Sequence, residues 1–132
     1  MPDVKRRTFR QLKHAVQALA LEAERQLALL PDHVCKADEL ALDFDQWFKT
    51  CTQTYREDLR AGQLDALQAI DRALAAMSGP RNAELWSERA LREAEPWRRV
   101  RELARSALEA FNWSLEAPPT HVDVEPGDEQ RA

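Results

Sequence analysis

Asp32, His33 and Cys35 stand close together and could open a metal site, since an imidazole, a thiolate and a carboxylate are all first-row metal ligands. A zinc site needs a second cluster to close the tetrahedron, and His14, Cys51 and His121 are each isolated. A di-iron site of the helical-bundle kind needs Glu-x-x-His pairs, and no glutamate here is followed by a histidine at that spacing. Glu39 and Asp43, one helical turn apart, could divide acid and base roles if their surroundings differed. At the start of a helix, however, such carboxylates more often form a solvated cluster suited to the positive end of the helix dipole. Ser78-Gly79 lacks the strand and second glycine of a nucleophile elbow, and the 3 glycines are too scattered for a phosphate loop. No catalytic residue, cofactor or metal is therefore expected.

What positions these residues is a set of amphipathic helices. The stretch 40–59 carries Leu40, Phe44, Trp47, Cys51 and Tyr55 at helical spacing, with Phe48 and Leu59 widening the stripe. Asp45, Lys49, Gln53 and Arg56 occupy the other side. A helix of this kind is stable only when other helices cover it. Cys51 falls on the apolar stripe, where a thiol is inert packing.

The whole chain reads as all-α: a compact bundle of four to five helices over about 8–30, 38–60, 63–77, 87–94 and 96–113. Thr8 is the expected N-cap of the first helix, which has no internal glycine or proline to force a break and whose continuity is open only near Ala20–Glu22. Its inward residues are Phe9, Leu12, Val16, Leu19, Ala23, Leu27 and Leu30, and Pro31 ends it. Asp38 or Asp32 is the expected cap of the second helix, and Ala61-Gly62 its stop. So short a joint predicts that the second and third helices are antiparallel neighbours. Ser78-Gly79-Pro80 ends the third, Ser87 caps the short fourth, and Pro96 opens the last.

Residues 1–113 carry 18 basic and 18 acidic side chains, so the net charge of −4 belongs to residues 114–132, which read as a flexible acidic tail. A neutral body gives no long-range field to attract nucleic acid. Arg98, Arg99, Arg101 and Arg105 in the last helix and Lys5, Arg6, Arg7, Arg10 and Lys13 at the start are basic clusters, but Glu95, Glu102 and Glu109 interrupt the first. No apolar run is long enough for a membrane span, and the N-terminus lacks the apolar centre of an export signal. A cytoplasmic protein with reduced thiols is expected.

The positive signal is aromatic. Trp86 and Trp113 fall at element edges, where partly exposed aromatic rings are enriched at protein interfaces. Together with the acidic start of the second helix at Asp38, Glu39 and Asp43, they are the candidate partner-binding residues. The expectation is a non-enzymatic bundle that binds a protein partner or a second copy of itself, as an adaptor or a toxin-neutralising immunity protein does. The alternative is a nucleic-acid-associated regulator that uses the basic N-terminus and last helix.

Overall fold

The computed structural model describes residues 2–119. Among them are six α-helices and no strand: α1 (Pro2–Ala20), α2 (Ala23–Leu29), α3 (Lys36–Thr54), α4 (Ala61–Ala76), α5 (Glu88–Glu93) and α6 (Glu95–Phe111). Two 3-10 segments, Arg56–Asp58 and Pro80–Trp86, join α3 to α4 and α4 to α5. The all-helical class agrees with the sequence pattern, while the expected four to five helices are too few. No described helix is long and apolar enough to cross a membrane.

The extra helix comes from the first apolar stripe, which is two helices rather than one. The chain bends at Leu21-Glu22, and Leu21 turns into the interior at 2% exposure. Carbonyls at the end of α1 lose their helical donors there, and side chains replace them. Buried Gln26 donates to the carbonyls of Ala18 and Leu19, both at 3.0 Å, and Arg105 donates to that of Ala20 at 3.0 Å. Lys36 does the same for α2, its ammonium reaching the Leu27 carbonyl at 2.7 Å while pairing with Asp32 at 3.1 Å. Every buried side-chain donor or acceptor among the described residues has a partner.

Several expected boundaries are corrected. Thr8 is no cap: α1 begins at Pro2, and the Thr8 hydroxyl donates back to the Val4 carbonyl at 2.8 Å. Neither Asp38 nor Asp32 caps α3, whose N-cap residue is Cys35. Gly62 does not stop that helix but lies in the first turn of α4, because the chain has already left α3 at Tyr55. Gln63 then accepts from the Arg60 amide at 2.9 Å, closing the start of α4. Ser87 does cap α5, accepting from the Ala90 amide at 3.0 Å. The last helix ends at Asn112, which takes the left-handed conformation (φ 58°) while the Trp113 amide reaches the Leu108 carbonyl at 2.8 Å.

Four helices make the bundle. Helix α1 packs along both α3 and α6, and α6 packs along α4. Phe9 meets Tyr55 with ring centroids 6.0 Å apart, and Lys5 pairs with Asp58 at 3.3 Å, so α1 and α3 run in opposite senses. The expected hairpin pair, α3 and α4, meets at only a few residues. The organising helix is therefore α1, and the seam between α3 and α4 is the loosest in the bundle. Residues 114–119 leave the helix, the Ser114 carbonyl accepting from buried Gln17 at 2.9 Å, with Pro118 buried. The rest of the expected acidic tail, residues 120–132, lies outside the described residues.

Candidate partner-binding groove

A groove of about 530 Å³ opens along the α3–α4 seam. One wall is the start of α3, with Asp38, Ala41, Leu42 and Asp45 above buried Phe44. The other is the end of α4, with Asp71, Leu74 and Ala75, closed at one end by Ser78, Gly79 and Trp86. The facing of an α3 start against an α4 end shows that these helices are antiparallel, as expected, although residues 55–60 rather than Ala61-Gly62 join them and they are only loosely packed.

Trp86 is held rigidly. Its indole Nε1 donates to the Met77 carbonyl at 2.8 Å, and its ring stands edge-on to Trp97 with centroids 5.4 Å apart. Trp97 is itself fully buried and donates to the Leu85 carbonyl at 2.7 Å. The groove end is thus preformed by a tryptophan pair whose polar atoms are both satisfied. Beside it Leu42 is 60% exposed, the most exposed large apolar side chain among the described residues.

The groove lining contains three aspartates and no basic side chain. Lys49, outside the lining, pairs with Asp45 at 2.8 Å. That hydrogen bond, reinforced by the charges of Asp45 and more weakly of Asp71, holds its ammonium above the ordinary lysine range. The rim is therefore acidic, and it holds one lysine already.

Of the candidate residues read from the sequence, the structure brings Asp38 and Trp86 together in this groove. Glu39 and Asp43, both half-buried, do not line it. Trp113 is elsewhere, half-buried at the end of α6 and stacked on Phe111 with centroids 4.1 Å apart. Sequence reasoning passed over Leu42 and Asp71. For Leu42 a signal existed: it is a leucine that falls well off the Leu40–Phe44–Cys51 stripe, and an apolar residue out of register has to be covered by something else. For Asp71 there was none, because it becomes significant only through the residue it faces.

The remaining candidates are dispersed. His33 and Cys35 are exposed, and the Cys35 thiol donates to the Trp86 carbonyl at 3.4 Å. No group of three or more potential metal ligands occurs among the described residues. Burial pushes the Cys51 thiol up to about 12, so it stays protonated at neutral pH. On α6, Arg98 pairs with Glu95, while Arg101 donates to the Leu91 carbonyl at 3.0 Å and to Gln26, and Arg105 to Ala20. Burial, followed by the charges of Arg105 and Arg98, lowers the affinity of Arg101 for its proton. Comparison with protein-family models, with curated proteins and with solved structures finds no match for this chain.

Proposed function

We propose that this protein is a non-enzymatic helical bundle that works by binding another protein at the α3–α4 groove, in the manner of an adaptor or of an immunity protein that masks a toxin. The observation that carries this reading is Leu42, left 60% exposed on the rim of a preformed apolar cleft. An apolar side chain in water beside an open seam is a standing contribution to association, because covering it removes apolar surface from solvent. The groove is not lined by His33, Glu39 or Asp43, the groups on which a catalytic reading would rest. Free thiols at Cys35 and Cys51 suit a reducing compartment, in keeping with a cytoplasmic place of action.

The test is photocrosslinking in the cells that encode the protein, with the reactive side chain placed at position 42 or at Arg99, an exposed residue on α6. A discrete adduct from position 42 and none from position 99 is expected; equal yields from both, or none from either, would remove the groove as the working surface. The nucleic-acid reading has less support. Three of its four α6 arginines are spent on the protein itself, and what remains is exposed Arg99 on α6 and the exposed set Arg6, Arg7 and Arg10 on α1. A gel-shift titration at two salt concentrations that shows no binding eliminates it.

A further inference from the structure

We infer that the occupant of the α3–α4 groove is an amphipathic helix of another protein, with apolar residues on one face and arginine or lysine flanking them. The inference rests on the groove being the working surface, and it adds what chemistry that surface selects.

The shape argues for a helix. The walls are two antiparallel helices that part from one another along the seam, whereas the bundle's other seams are closed by packing. A further helix laid in such a furrow buries its apolar face against both walls, which is the helix-in-groove mode of recognition. The described residues contain no sheet edge to receive an extended strand. The cleft is open to solvent along the seam, so a small molecule would keep much of its surface wet, against the usual deep burial of such ligands.

The floor selects for apolar side chains. Phe44, Leu74 and Ala75, with Leu42 at the rim above them, offer only hydrocarbon, and Trp86 has already committed its indole N–H to Met77. Those side chains would not satisfy a polar group brought out of water, so a polar ligand face laid against them would be disfavoured.

The rim selects for positive charge. Asp38 and Asp45 stand on one wall and Asp71 on the other, so a helix lying between them is flanked by carboxylates on both sides. An acidic helix would meet like charge along both edges, which raises the cost of association. Lys49 shows the rim already accepting an ammonium, at Asp45 and with Asp71 in electrostatic range. A basic partner would extend that arrangement to Asp38 and Asp71.

The experiment uses two labelled helical peptides of about 14 residues, roughly the length of four turns. Both carry the same leucine stripe at i, i+3, i+4 and i+7; one is flanked by arginines and its twin by glutamates. Fluorescence anisotropy with the full chain is expected to show the arginine peptide binding about tenfold or more tightly than its twin, the ratio that two or three partly exposed charge pairs can supply. The ratio should collapse toward unity in the Asp38→Asn/Asp71→Asn variant, and at about 0.5 M salt, where exposed pairs are screened. Leu42→Gln should abolish binding of both peptides, while circular dichroism confirms that each variant keeps its helices.

Two peptides binding equally, with both lost in Leu42→Gln, would overturn the selection for a basic partner and leave the groove reading standing. Binding of neither, or binding that survives Leu42→Gln, would overturn both. Light scattering of the protein alone supplies the last arm: a dimer that Leu42→Gln returns to monomer would mean that the occupant is a second copy, and the inference fails in that form.

Discussion

The two tryptophans Trp47 and Trp97 show how far residue-level spacing reaches. Both fall at inward positions of strongly patterned helices, yet only Trp97 is fully buried, while Trp47 is half-buried at the margin of the α3 stripe. The centre of that stripe runs through Leu40, Phe44 and Cys51, with Phe48 on one flank and Trp47 on the other. Trp97→Ala is expected to cost about 3–5 kcal/mol, through the cavity it leaves together with the loss of the donor to Leu85. Trp47→Ala should cost about 1–2 kcal/mol, since part of its side chain is already exposed and the site can refill with water. Urea unfolding midpoints of the two variants measure both, and an equal loss would mean that Trp47 is as deeply packed as Trp97. Spacing places a residue on a face; how deep that face sits depends on the partner helix.

At the scale of elements the two described glycines make opposite predictions. Gly62 sits in the first turn of α4 with open space where a β-carbon would be. Gly62→Ala should therefore stabilise the protein by about 0.5 kcal/mol, chiefly by restricting the unfolded chain. Gly79 has φ 100° and ψ 162°, a region that side-chain-bearing residues rarely enter, although nothing would touch its β-carbon either. Gly79→Ala should cost about 1–3 kcal/mol from backbone strain alone. Paired denaturation curves decide this, and a destabilised Gly62→Ala would contradict the placement of that residue inside a helix. The role of Ser78-Gly79-Pro80 as a terminator was legible because glycine and proline act locally. The division between α1 and α2 was not, because it depends on Gln26 and Arg105, one of them far away in sequence, replacing the helical donors of Ala18, Leu19 and Ala20. A local pattern holds no record of a hydrogen bond made across the bundle.

At the scale of the molecule, acid stability follows from how α1 is packed. Burial, then the neighbouring charges of Lys13 and Arg10, lower the proton affinity of His14 below the ordinary imidazole value. Between its folded pKa and the ordinary value of about 6.5 the unfolded chain binds the proton better than the folded one. Stability should thus be full above that range, decline as the pH falls through it, and level off below the folded pKa. Urea midpoints at about pH 7.5 and 5.5 are expected to differ in that sense, in a window above the carboxylate titrations. His14→Gln should flatten the difference; an unchanged slope would assign it to other groups. The all-α class, the apolar faces of α1, α4 and α6, the Ser87 cap and the thiol chemistry of Cys51 were determined by the sequence alone, because hydrophobic periodicity and turn chemistry act within a few residues. Which helices touch was decided only in three dimensions. A two-residue joint at Ala61-Gly62 promised a tight hairpin of α3 with α4, but residues 55–60 separate the two helices, and α1 packs far more extensively along α3, as α6 does along α4. The seam left between α3 and α4 is what joins Asp38 to Asp71 and leaves Leu42 in water. Asp38 and Leu42 lie on α3 and Asp71 on α4, and their meeting in one groove is a product of the competition among helix faces for cover.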